Sequence, residues 1–215
     1  MKNPRLFLPV IFAIIGILAC KSYLVGDLLT QSGDVLFVDD FSDPGSGWAR
    51  ASSPSGVMDY DNNGYRIWVN TPNYDLWSTP GLDFSDVRIE VDAAKVGGPD
   101  ENRFGLICRY RDGQNFYFLI VSSDGYYAIG KVQDGQRTLL GQEMMAYSAA
   151  IKTGMDINHL RADCFGAGLM LYVNGMLVAA VQGDDFTSGD VGLLVGTFDQ
   201  PGADVLFDNF VVLKP

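Results

Sequence analysis

The sequence has 215 residues, 47% of them hydrophobic and 19% charged, which is enough for one large β domain or two small ones and can bury a core. The formal net charge of −11 is unevenly placed. Residues 1–30 hold Lys2, Arg5 and Lys21 against Asp27, leaving 12 basic and 25 acidic residues and a net of −13 beyond them; a body that acidic repels phosphate backbones and excludes nucleic acid as a partner.

Lys2 and Arg5 precede an apolar run from Leu6 to Cys20, broken by Pro9 and Gly16. As a helix rising about 1.5 Å per residue, the run reaches about 22 Å, short of a hydrocarbon core of ~30 Å. A basic start, a short apolar middle and small residues at the end have the form of a secretory signal. The positive-inside rule then places everything after Cys20 outside the cytoplasmic membrane. The segment closes Ile17-Leu18-Ala19-Cys20, which resembles a bacterial lipoprotein box and makes Cys20 a candidate for lipidation. Two alternatives stay open. One is an uncleaved helical anchor, with Lys21 snorkelling and Tyr23, Leu24 and Val25 extending the apolar contact. The other is ordinary cleavage and release. Residues 1–20 are thus a signal, lipoprotein or anchor segment, residues 21–34 a linker, and residues 35–215 the folded body.

In that body, short apolar-alternating runs follow one another without a long helical period. Val35–Phe41 opens the series, and Ser42–Gly56, rich in Ser, Gly and Pro, reads as a loop. Asn62-Asn63-Gly64 announces a turn into Tyr65–Val69. Tyr74–Ser78 is a short strand stopped by Pro80-Gly81, and Val87–Val96 alternates cleanly, with Arg88, Glu90 and Asp92 on its wet face. Asp112-Gly113 joins Arg103–Arg111 to Asn115–Ser122, and Asp134-Gly135 joins Tyr126–Val132 to Arg137–Gly141. Gln142–Ile151 is a loop or a single turn. Asn174-Gly175, the most specific turn dipeptide in the chain, joins Leu169–Val173 to Met176–Val181; Gly189–Gly196 and Val205–Leu213 close the series. About a dozen short strands with turns every 8–15 residues predict an all-β sandwich or barrel. No βαβ alternation supports a doubly wound nucleotide-binding fold.

The chain has three cysteines. With Cys20 lipidated, Cys108 and Cys164 remain as an even pair in an oxidising compartment. Alternation puts Phe104, Leu106, Cys108 and Tyr110 on one apolar face, and Leu160, Ala162 and Cys164 on another. A disulfide and two buried free thiols are both compatible with that placement.

Asp40-Phe-Ser-Asp-Pro-Gly-Ser-Gly-Trp48, Phe104-Gly-Leu-Ile-Cys-Arg-Tyr110, Asn115-Phe-Tyr-Phe118, Leu171-Tyr-Val-Asn-Gly175 and Val205-Leu-Phe-Asp-Asn-Phe210 resemble the concanavalin A-like lectin/glucanase superfamily. The nearest likeness is to extracytoplasmic bacterial members without an assigned activity, related in shape to laminin-G-like domains, over roughly residues 35–213. The resemblance implies an antiparallel two-sheet jelly roll with the first and last strands side by side. Members include sugar binders, glycan hydrolases and structural modules, so the fold does not choose among them.

Glycan hydrolysis needs two facing carboxylates. The compact Glu-x-Asp-x-x-Glu motif of glucanase members is approached here only by Glu90-Val-Asp92, with no third carboxylate at the right spacing, and its alternation reads instead as the wet face of a strand. His159 is the only general-base imidazole, at a strand start after Asn158, and no Gly-x-Ser-x-Gly elbow exists, so a Ser/His/Asp triad has thin support. Calcium would suit the acidic body, with Asp39, Asp40 and Asp208 as candidate ligands once the resemblance sets first and last strands together; turn caps or Arg pairing are the alternative. A sugar site needs aromatics to stack and planar polar donors. The candidates are Trp68 and Trp77, with Trp48 in the loop, and Arg109, Arg161, Tyr117 and Tyr172 on faces expected opposite the cysteines; core packing and cross-strand pairing with Asp are the alternative. The sequence therefore predicts a non-catalytic, membrane-tethered extracytoplasmic binding or scaffolding module. A glycan is one expected partner. A peripheral subunit of a larger membrane complex and a glycan hydrolase are the alternatives.

Overall fold

A computed structural model describes residues 32–215. The expectations for residues 1–31, including the anchor helix and the fate of Cys20, lie outside them. Among the described residues there are sixteen strands and no helix.

The strands are β1 (Val35–Asp39), β2 (Ala51–Ser53), β3 (Gly56–Asp61), β4 (Gly64–Val69), β5 (Asp75–Ser78), β6 (Val87–Gly97), β7 (Asn102–Asp112) and β8 (Asn115–Val121), then β9 (Tyr126–Gln133), β10 (Gln136–Leu139), β11 (Ala146–Tyr147), β12 (Asn158–Phe165), β13 (Gly168–Val173), β14 (Met176–Gln182), β15 (Asp190–Thr197) and β16 (Ala203–Leu213). They form two antiparallel sheets. One has nine strands in the order β14-β13-β12-β6-β16-β4-β3-β2, with β1 also on β16; the other has seven in the order β10-β9-β8-β7-β15-β5, with β11 on β9. First and last strands do pair, Asp39 lying opposite Phe210.

Turn chemistry fixes much of the register. Asn62 and Asn63 (φ 51° and 59°), Asp134-Gly135 (50° and 77°) and Asn174-Gly175 (51° and 83°) take the left-handed pairs that two-residue hairpins require. The Asp112 turn works differently, through its side chain: Asp112 Oδ1 accepts from Gln114 N at 2.7 Å and Asn115 Nδ2 at 3.0 Å. Two expectations are corrected. The loop expected over Ser42–Gly56 gives way near its end to β2, whose pairing with β3 is set by a partner strand rather than by its own polar sequence. Within Gln142–Ile151, a mostly irregular segment contributes only the two-residue β11.

The core fills the space between the sheets. Alternate residues of β6 (Val87, Ile89, Val91), β12 (Leu160, Ala162, Cys164) and β16 (Val205, Phe207, Phe210, Val212) meet Phe104, Leu106, Leu119 and Val121 of β7 and β8. The disulfide Cys108–Cys164 crosses this space from the seven-stranded to the nine-stranded sheet, with Cα atoms 6.7 Å apart. Trp48 is a plug for one part of the core: it is 4% exposed, packs edge-on against Phe41 and Phe210, and donates Nε1–H to Asp39 Oδ2 at 2.8 Å.

A second apolar layer lies on the outer face of the seven-stranded sheet. Ile107, Phe116, Phe118, Ile120, Ala128, Val132 and Leu194 are buried there, with Trp77, Tyr110, Leu139 and Met145 packed over them. Sheets that are apolar on both faces need a cover on each, and the segment after β10 supplies part of it.

Candidate functional site

The outer face of the seven-stranded sheet carries a trough of ≈ 740 Å³ lined by Arg103, Ile120, Arg137, Thr138, Leu139, Gln142, Glu143, Met144, Met145 and Phe198. A neighbouring hollow of ≈ 370 Å³ shares Met144, Met145 and Phe198 and adds Glu101, Ser122, Asp124 and Tyr126. Volumes of this size suit small organic ligands. Tyr126 stacks edge-on with Tyr147, centroids 5.8 Å apart, and both rings are exposed.

Two of the lining arginines, Arg103 and Arg137, share one carboxylate, that of Asp75. Strand register brings Arg103 and Asp75 together: Gly196 of β15 pairs with Arg103 of β7 on one side and with Asp75 of β5 on the other. Arg103 Nε donates to Asp75 Oδ1 at 2.6 Å, and Arg137 Nη2 of β10 donates to Asp75 Oδ2. Gly196 leaves the room for this, since a Cβ there would collide with Asp75 Oδ1 and come within 2.7 Å of Arg103 Nε. Each arginine also lies over a ring, Arg103 over Phe198 at 4.7 Å and Arg137 over Phe118 at 4.6 Å. Arg103 and Asp75 side chains are each only 11% exposed, whereas Arg137 is 33% exposed. Burial pulls the Arg137 pKa below the ordinary arginine value; Asp75 opposes the shift and Arg103 adds to it.

The residues expected to bind ligand separate into three places. Trp77 lies on the same outer face, stacked on Phe116 (5.5 Å) with Nε1 at 3.4 Å from Tyr110 Oη. Trp68, Arg161 and Tyr172 belong to the nine-stranded sheet, and β6 and β16 separate Trp68 from the other two. Arg161 covers the Tyr172 ring of the neighbouring strand at 4.3 Å and pairs with Asp163 on its own strand at 2.5 Å, contacts that compete with ligand binding.

Tyr117 and Arg109 are buried, which corrects the expectation of an open face for both. Tyr117 pairs directly with Cys108, and directly paired residues share a face, so its ring enters the core. Its hydroxyl accepts from Asp185 N at 2.9 Å and Phe186 N at 3.2 Å. Arg109 sits at a bulge in β7 with φ 52°, where alternation breaks. Its guanidinium donates to Phe186 O (2.9 Å), Gly166 O (2.6 Å), Ser85 O (3.3 Å) and Asp86 Oδ1 (3.3 Å). The same bulge turns Tyr110 out to the second apolar layer, away from the cysteine face where alternation had placed it.

The calcium expectation is corrected as well. Asp39 uses its carboxylate on Phe41 N and Trp48 Nε1, Asp40 accepts from Ser42 N and Oγ, and Asp208 accepts from Asn209 N at 2.7 Å. Across β16, Asp208 lies opposite Asp92, whereas Asp39 lies opposite Phe210. Among the described residues no three His, Cys, Asp or Glu side chains are placed to hold a metal ion. Glu90 and Asp92 stay on the wet face of β6, where His159 bridges them: Nδ1 to Asp92 at 2.8 Å and Nε2 to Glu90 at 3.4 Å.

Arg137, Asp75 and Phe198 were missed from sequence because three distant segments supply them. Arg103 was within reach, since the alternation that put Phe104 and Cys108 inward puts Arg103 outward.

Two stacked antiparallel sheets, with the first and last strands paired inside the nine-stranded one and a trough on the outer face of the other, make a β-sandwich of galectin-like fold. The chain is similar to the carbohydrate binding module CBM66 from Bacillus subtilis (20% identity, TM-score 0.62, 79% of this chain and 96% of that one). It is also similar to a Bacillus subtilis protein of unknown function with a galectin-like fold (10%, 0.65, 86% and 97%). The GH43 protein BlXynB from Bacillus licheniformis is similar too (15%, 0.62), with 85% of this chain covering 40% of that one. At these identities the likeness is one of fold. No protein-family model and no curated protein matches the sequence.

Proposed function

We propose that this chain is a non-catalytic glycan-binding module, held at the outer face of the cytoplasmic membrane by lipid on Cys20 or by the N-terminal segment. The observation that carries the reading is the trough on the seven-stranded sheet. Apolar groups (half-buried Phe198 and exposed Met144) border it beside planar polar groups (Arg103, Arg137, Gln142), and exposed Tyr126 lines the adjoining hollow. That combination matches what a sugar presents, an apolar ring face edged by hydroxyls. A fold shared with a carbohydrate binding module is consistent with it.

The absence of catalysis is part of the same reading. A glycosidase holds two working carboxylates about 5–10 Å apart across the scissile bond. Glu143 is the one carboxylate lining the trough, Asp75 beside it is tied to two arginines, and the Glu90–Asp92 pair belongs to the other sheet.

The test is a glycan array probed with the full-length chain extracted from membranes in mild detergent. Binding to a defined set of glycans, reduced at least tenfold by Phe198→Ala in a variant that melts like the parent, is the expected result. No retained glycan, or retention untouched by Phe198→Ala and Met144→Ala together, overturns it. Intact mass of the same preparation reads the tether, as acyl groups on Cys20 or as residues 1–19 still attached.

A further inference from the structure

Resting on that reading, we infer that the trough selects glycans carrying an isolated carboxylate, such as a single uronate on an otherwise neutral chain, through the free guanidinium edges of Arg137 and Arg103. Asp75 is one negative group serving two positive ones, so the triad keeps a net charge of +1 inside a body of net −13. A single carboxylate between two guanidinium groups satisfies one N–H of each: Nε of Arg103 and Nη2 of Arg137. Among the described residues no other protein acceptor engages either guanidinium, and both border the trough. A guanidinium offers five N–H donors in a planar fork matched to carboxylate.

Position strengthens the case. Arg103 is 9% exposed as a residue, held over Phe198 and anchored by Asp75, so its direction is set before a ligand arrives. Pre-set donors lose little conformational freedom on binding. A buried cation with unused donors gains more from an incoming anion than a solvated surface arginine would. Neutral sugar hydroxyls can accept from the same donors, but charge-assisted bonds are roughly twice as strong.

The rest of the surface limits which anion fits. Glu143 borders the same trough, and Glu101 and Asp124 border its neighbour. These and the body's net charge repel a dense polyanion, whereas fields between exposed charges fade over about 8 Å in physiological salt. A glycan with carboxylates spaced along a neutral backbone meets the triad without placing further charge against the flanking acids.

The test uses the full-length chain in detergent and a neutral oligosaccharide backbone bearing one glucuronate, compared with the same compound after reduction of its carboxylate to the alcohol. Calorimetric titration is expected to give at least tenfold tighter binding for the acid. Arg137→Gln should weaken the acid far more than the reduced compound, so that the tenfold preference is lost, and Arg137→Lys should retain part of it. Arg161→Gln, on the other sheet, should change neither. Equal affinity for acid and alcohol overturns the carboxylate assignment and leaves glycan binding standing. Failure of both compounds together with a blank glycan array overturns both readings. If Arg137→Gln lowers thermal stability, the acid-to-alcohol ratio in the parent chain decides alone.

Discussion

Tyr65 and Tyr117 are phenols that the fold keeps protonated. Tyr65 is fully buried and donates its hydroxyl to the carbonyl of Ala49. Burial raises its pKa well above the ordinary tyrosine value, and burial is the first cause for Tyr117 as well. In the unfolded chain both titrate near pH ~10. The folded state therefore binds the proton more tightly, so the stabilisation is complete below about pH 10 and is lost as pH rises through the folded values. Urea midpoints measured from pH 8 to 11.5 should fall along this limb. Tyr65→Phe should start lower at pH 8 by about 1 kcal/mol, for the lost hydrogen bond, and then fall less steeply. Parallel curves for the two proteins would show that Tyr65 does not drive the alkaline loss.

At the scale of elements, the bulge in β7 decides which side chains the seven-stranded sheet presents. Arg109 holds three carbonyls from separate segments, at Ser85, Gly166 and Phe186, together with Asp86. Replacing it by Met keeps the bulk but leaves those acceptors without their donor. The cost should be about 3 kcal/mol or more, within the range for breaking a buried hydrogen-bonded charge. Denaturant titration reads this directly, and a loss below about 1 kcal/mol would mean that water replaces the guanidinium. This bulge also marks where sequence reading ran out. Hairpins at Asn174-Gly175 and Asp134-Gly135 were legible because a left-handed φ is a local demand met by local residues. The alternation of β6 and β12 was legible because one buried face imposes a period of two. Arg109 obeys neither rule, since its partners come from three other parts of the chain. The same holds for the candidate site: Trp77 was reachable from its own strand, whereas Asp75, Arg103 and Arg137 meet only once β5, β15, β7 and β10 are arranged in one sheet.

For the whole molecule, the Cys108–Cys164 bridge is a disulfide cross-link between the two sheets, closing a loop with a sequence separation of 56. Closure of a loop that long removes conformational freedom from the unfolded chain worth about 4 kcal/mol in the chain-entropy treatment. Domains of this kind hold a total of only ~5–15 kcal/mol, so the bridge accounts for a large share of the margin. Both sulfurs are fully buried, and a reductant can reach them only when the sheets separate. Reduction should therefore be slow in native buffer and fast above the urea midpoint. Refolded under reducing conditions, the chain should show a midpoint lowered by an amount equivalent to about 4 kcal/mol, with a steeper transition because the unlinked chain exposes more surface. The native sheets and the trough should persist below that lowered midpoint, since the core between them is continuous apart from this one link. An unchanged midpoint would mean that the unfolded chain already keeps β7 and β12 close together, leaving the bridge little to restrict.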